Sequence, residues 1–207
     1  MDYIKEWQEI INSQNVQKAL VEHFSYLSEN AKEFLEEWML TVKEVTIWNE
    51  CLSIQFTDGK HLAASPPATQ LSRYKNWPES YQKLVKRHEF LDEYSTNFRL
   101  GGTDIFEPGE EDWDWENTRE ELLEEYGEDS EGWNRIKDGS KILSPITMYG
   151  NVWLYHPLQK NSQKESLLYF FSHALCAWPE NPVDADAGLL SLQLLTGKRS
   201  GDDGRMK

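Results

Sequence analysis

Asp112, Asp114 and Glu116 stand at alternate positions, the spacing with which a calcium-binding loop opens its ligand set. Such a loop also needs a glycine at its sixth position and a carboxylate at its twelfth, and this chain has Asn117 and Leu123 there. Asp184-Ala-Asp186-Ala-Gly188 fails in the same way. His173 and Cys176 lie three residues apart, a base and a thiol within reach of each other, but nothing around them marks a catalytic pair and the spacing reads as incidental. Gly197-Lys198 lacks the rest of a phosphate-binding loop, since Leu192 stands at the upstream glycine position and Arg199 at the hydroxyl position. The sequence holds no G-x-S-x-G, G-x-G-x-x-G or H-E-x-x-H, which removes the commonest hydrolase, dinucleotide and zinc-protease signatures. Carboxylates abound, yet no two stand apart in an apolar setting that would separate their pKa values into an acid and a base. The chain therefore reads as non-catalytic, with no metal and no cofactor.

What the carboxylates do carry is charge. Between Asp104 and Glu131, fourteen Asp and Glu face a single basic residue, Arg119, whereas the whole chain of 207 residues has a net charge of −15. Nearly all of the acidity is thus local. A patch of that sign attracts a cationic protein over about a Debye length, ~8 Å at physiological salt, and repels nucleic acid. Glu110, Glu111, Asp112, Asp114 and Glu116 are the expected partner-binding acids, and Trp113 and Trp115 among them are aromatic anchors of the kind enriched at interface hot spots. A solvated helix face and, for the two tryptophans, core packing are the other roles open to these residues. A second candidate site, a pocket at a sheet edge, is formed in prospect by Tyr149, Tyr155 and His156, with Pro157 as a rigid exit that holds the imidazole in place.

These residues need a scaffold, and composition supplies one. With 39% hydrophobic and 13% aromatic residues the chain is long enough and apolar enough to bury one substantial core without disulfides or metals. Cys51 and Cys176 make no metal or redox spacing and read as small buried hydrophobes. No stretch approaches a membrane span, and the opening MDYIKEWQEI is amphipathic and acidic where a signal peptide is cationic and then apolar, so a cytoplasmic protein is expected.

Helical spacing of Val16, Leu20, Phe24 and Leu27 and of Phe34, Leu35, Trp38 and Met39 predicts two amphipathic helices, the second opened by an approximate capping box of Asn30 and Glu33. From Val45 the period falls to two, through Ile47, Leu52, Ile54 and Phe56, with turns at Asn49-Glu50 and Asp58-Gly59, which predicts a meander of about three strands. Ser65-Pro66-Pro67 interrupts regular structure and marks an internal boundary, so residues 1–64 form an N-terminal region of two helices and a meander packed on a main domain over 70–196. A helix over Glu79 to Phe90 is expected, with Tyr81, Leu84, Val85 and His88 on one face. A short helix capped by Thr118 and Glu121 should turn Leu122, Leu123 and Tyr126 inward and stop at Gly127. Two strands joined at Tyr149-Gly150-Asn151, a strand over Leu167 to Phe171, a helix over Asp184 to Leu195 and a disordered tail over 197–207 complete the order.

Trp77-Pro78-Glu79-Ser80-Tyr81 with Leu84, then Gly101-Gly102, then Ser144-Pro145-Ile146 and Asn151 to Pro157, then Leu168 to His173, follow one another as in the SUKH superfamily, which the chain resembles over about residues 70–196. That superfamily includes fungal cell-wall regulators and many bacterial immunity proteins. The resemblance implies an α+β fold with a mixed, mainly antiparallel sheet flanked by helices, here with an N-terminal helical and β-hairpin extension. It also implies a protein-binding function: neutralising a cognate toxin, which the local charge suggests is basic and possibly a nuclease. An intracellular scaffold or regulator, and a small-ligand binder or enzyme at the sheet edge, are the alternative readings.

Overall fold

The computed structural model describes residues 2–29, 31–75, 79–95, 98–101, 120, 123–124, 127–128, 146–148, 151–162, 164–172 and 192. Helix α1, Tyr3–Ile11, begins at Asp2, whose side chain accepts from Lys5 N at 3.3 Å and so satisfies one of the free amides of the first turn. Asn15 does the same for α2, Val16–Phe24, accepting from Lys18 N at 2.9 Å. After a 3₁₀ turn over Ser25–Leu27 comes α3, Lys32–Met39. The expected capping box at its start is not what opens it: the helix begins one residue late, from Ala31, with no side-chain cap hydrogen bond.

The strands are β1 Val42–Trp48, β2 Cys51–Phe56, β3 His61–Ala64, β4 Phe90–Glu93, β5 Phe98–Gly101, β6 Ile146–Met148, β7 Asn151–Lys160 and β8 Ser166–Ser172. They lie in one sheet in sequence order, and every pairing is antiparallel. The protein is therefore α+β. The loop in which the sequence places a boundary lies between β3 and β4, and these two strands pair, Ala64 opposite Leu91. One cross-strand row explains the cohesion of the sheet. Ile47, Leu52, Ala64, Leu91, Leu100, Ile146, Trp153 and Phe170 follow one another as direct partners through all eight strands, an unbroken apolar line. Leu52, Ala64, Leu91 and Leu100 are fully buried, and the helices supply Trp7, Leu20, Phe24, Leu35 and Met39 to the same cluster. Trp38 stacks on Phe56 with ring centroids 4.8 Å apart.

Turn chemistry shows in the backbone. Asn49 and Glu50 join β1 to β2 with φ of 48° and 61°, the left-handed pair of a two-residue hairpin that favours Asn-Gly. A left-handed L-residue costs roughly 1–2 kcal/mol, and Glu50 is exposed with no contact that repays it visibly. Glu50→Gly should raise stability by about 1 kcal/mol, part of the gain being lost to the extra freedom of the unfolded glycine, and a urea midpoint at or below that of the parent would refute this account.

Four expectations are corrected. The helix expected over Glu79 to Phe90 ends as α4, Glu79–Val85, because Glu89 N is taken by Pro66 O and Phe90 N by Ser65 Oγ, each at 2.8 Å, which starts β4. Gly101 closes a strand opposite Phe90 and does not mark a turn from helix to sheet. His156 and Pro157 do not end their strand: β7 continues to Lys160, with its register against β8 broken between Tyr155 and Lys160, the irregularity at which a strand tolerates proline. Cys51 is half-buried at the start of β2, where burial and the nearby Asp92 carboxylate push its thiol up. The stop expected at Gly127 is present: its amide donates to Leu123 O at 2.8 Å with φ of 77°. Leu192, inside the expected last helix, is helical and buried.

Candidate functional site

The residues singled out for partner binding, Glu110, Glu111, Asp112, Trp113, Asp114, Trp115 and Glu116, lie outside the described residues, as do Tyr149, His173 and Cys176. Tyr155 and His156 are consecutive residues of β7, at the point where its register against β8 breaks. The described structure instead gathers titratable groups where the sequence had singled out none.

The core of this cluster is a pair of imidazoles. His23, from the last turn of α2, and His88, from the α4–β4 connection, meet with their Nε2 atoms 2.8 Å apart. His88 is completely buried and lies among rings: Trp7 stacks on it at 6.1 Å, Phe24 at 5.6 Å, and Tyr26 lies 6.0 Å away. Its Nδ1 is 2.6 Å from Ser65 O, which can only accept, so Nδ1 carries the hydrogen. A neutral His88 then offers Nε2 as an acceptor, and His23 Nε2–H donates to it. That leaves His23 Nδ1 with a lone pair, which receives an N–H from Arg87 Nη2 at 3.2 Å. The same guanidinium nitrogen donates to Glu6 Oε1 at 2.5 Å, tying α1 to the cluster. Arg87 also lies over the Tyr26 ring, 5.9 Å from its centroid.

Electrostatics fit this tautomer assignment. Burial, with Arg87 as a second cause, lowers His23 to about 4. Burial, then the neighbouring His23, lowers His88 to about 3. The pair is neutral at pH 7. Tyr26, whose hydroxyl is buried without a hydrogen-bond partner, is held well above the usual phenol range by burial. On the solvent side an open cleft of about 300 Å³, lined by Glu6, Glu9, Ile10, Ser13, Glu22, His23 and Arg87 among others, reaches the cluster. The arrangement can bind and release a proton at His23 Nδ1 and pass its effect to Arg87.

A third histidine, His61, lies on the opposite face of the sheet. Ser53 Oγ and His61 Nε2 are 2.6 Å apart, a hydroxyl and base within reach, but Ser53 is buried beneath the imidazole. The exposed rings of Trp48 and Tyr94 flank it, at 6.3 and 5.4 Å from His61. A nucleophile shut in this way has no approach for a substrate, and the bond satisfies two polar groups. Nearby, Arg99 clasps Asp92 through both of its carboxylate oxygens across β4 and β5. Among the described residues no three His, Cys, Asp or Glu side chains are placed to hold a metal ion, and no helix is long and apolar enough to cross a membrane.

One signal for the buried pair is present in the sequence. His88 falls on the same apolar stripe as Tyr81, Leu84 and Val85, and a buried imidazole requires a polar partner. Which partner is a tertiary fact: Glu6 is 17 residues from His23, and His23 is 65 from His88. No protein-family model, curated protein or solved structure matches the chain, so no enzyme family or homologue stands beside it.

Proposed function

We propose that this protein is a non-catalytic, cytoplasmic binding protein that captures a basic partner through its acidic stretch, and that the partner is a toxin, plausible as a nuclease on charge grounds. The observation that supports this is the confinement of charge: fourteen carboxylates against one arginine between Asp104 and Glu131, in a chain whose total is −15. A protein that needs acidity for solubility spreads it; one that steers a cationic partner concentrates it. The scaffold agrees with this use. The acidic stretch lies in sequence between β5, which ends at Gly101, and β6, which begins at Ile146, and these two strands pair directly. His88 is enclosed by rings and the Ser65 carbonyl, which suits a structural or regulatory part better than a turnover site. The resemblance to immunity proteins points the same way.

The test is capture of partners from the native cell at low and then high salt, followed by stopped-flow association with the retained basic protein. Replacing Glu110, Glu111, Asp112, Asp114 and Glu116 by their amides should slow association by about tenfold at low salt and flatten its salt dependence, because steering accounts for 10-fold or more of such rates. Rates and salt slope equal to those of the parent would overturn the assignment of these acids. A cell protected from the partner's toxicity only when this protein is present would establish the neutralising role.

A further inference from the structure

Three contacts run in line from the β3 exit to α1: Ser65 O to His88 Nδ1 at 2.6 Å, His88 Nε2 to His23 Nε2 at 2.8 Å, and His23 Nδ1 to Glu6 Oε1 at 2.9 Å. Each link holds one hydrogen when it is a hydrogen bond. Two neutral imidazoles supply two hydrogens, and both are committed to the first two links. The third link then lacks a proton, and a lone pair faces a carboxylate oxygen across 2.9 Å. Arg87 Nη2 compensates by donating to both Glu6 Oε1 and His23 Nδ1.

We propose that this cluster is a one-proton switch in which a proton entering at His23 Nδ1 replaces the Arg87 hydrogen there and expels the guanidinium from the imidazole. Before the exchange the positive Arg87 and the negative Glu6 cancel, and the histidines are neutral. Afterwards His23 carries both hydrogens, donating Nδ1–H to Glu6 Oε1 and Nε2–H to His88, and the cluster has gained one positive charge. Arg87, then against a second cation, has no acceptor left on His23. A second proton is refused, since the Nε2–Nε2 link has room for one hydrogen and two imidazolium rings would face each other across 2.8 Å. The cleft that reaches His23 supplies the proton's path from solvent.

The charged and titratable groups that face the pair come from each neighbouring element. Glu6 and Glu9 of α1 and Glu22 of α2 favour the proton, Arg87 of the α4–β4 connection opposes it, and buried Tyr26 stays uncharged. Glu6 then accepts a charge-assisted bond from His23, so the exchange shifts the tie of α1 from the α4–β4 corner towards α2. The pairing of β2 with β3 and of β3 with β4 does not depend on it.

The test is side-chain ¹⁵N NMR of the full chain from pH 7.5 to 2.5. The ring nitrogens of His23 and His88 should move in one shared step worth one proton, with the Arg87 guanidinium signals moving in the same step. Arg87→Met removes the competing cation and should raise the midpoint by about one pH unit, whereas Glu6→Gln removes the acceptor and should lower it. Amide exchange in β2 and β3 should stay constant through the step. Two separate histidine steps, or a shared step that leaves the Arg87 signals in place, would overturn the proposal. Should Arg87→Met fail to fold, the direction of the Glu6→Gln shift and the Arg87 signals of the parent decide the matter.

Discussion

Between pH 7 and pH 5 the protein will lose on the order of 3 kcal/mol of folding free energy through His23 and His88 alone. In the unfolded chain both imidazoles titrate near 6.5; in the fold His23 is held down to about 4 and His88 to about 3. Below pH 6.5 the unfolded state therefore takes up protons that the folded state declines. The contribution is complete above 6.5 and drains away as the pH falls towards 4, at up to about 1.4 kcal/mol per pH unit for each group. Against a typical total of roughly 5–15 kcal/mol that is a large share. Urea unfolding at pH 7, 6 and 5 measures it, in a window above the range where most carboxylates titrate. A His23→Gln variant should show about half the slope, and a parent stability that is flat from pH 7 to 5 would mean that the pair is not neutral and buried.

Gly101→Ala should destabilise the protein by about 3 kcal/mol, among the largest effects of a single added methyl group. Gly101 has φ of 83°, and a Cβ there would stand 2.7 Å from Glu89 O and 2.8 Å from Leu84 Cδ2. Both neighbours are fixed: Leu84 is buried, and the Glu89 backbone leads directly into β4. Gly59 is the control. Its φ is 90°, but nothing lies within 4 Å of its would-be Cβ, so Gly59→Ala carries the backbone strain alone, roughly 1–2 kcal/mol. Equal losses in the two variants would show that the close approach at Gly101 relaxes without penalty.

The elements most legible in the sequence are those whose reasons are local. Val45 and Ile47, then Leu52, Ile54 and Phe56, alternate because one face of β1 and β2 is buried, and the turns between them have composition of their own. The strands at Ile146–Met148, Asn151–Lys160 and Ser166–Ser172 were legible from their β-branched and aromatic residues and from the turn at Tyr149-Gly150-Asn151. β4 and β5 escaped because each is four residues long and carries charge, Asp92 and Arg99, that becomes tolerable only when the two strands stand side by side. α1 escaped as an element because its cap, Asp2, stands at the very start of the chain, although its amphipathic character was plain. The histidine cluster was the least legible feature. Its members come from α1, α2, the β3 exit and the α4–β4 connection, and no window of sequence contains the partner that each requires.

A sheet whose strands neighbour each other in sequence order has a consequence for how such a chain can change over generations. Seven seams join the eight described strands, and the one with the longest sequence separation is that of β5 with β6, between which the acidic stretch falls in the sequence. Lengthening a connection weakens a fold slowly, by about 0.6 kcal/mol for each doubling. New residues, and new charge, can therefore be inserted or exchanged at this seam while the register on either side is kept. If the acidic stretch binds a partner as proposed, this is where a lineage can follow a diverging partner with the least rebuilding: the histidine cluster and the apolar row stay as inheritance, and the sequence between them varies from a seam whose two strands already hold each other.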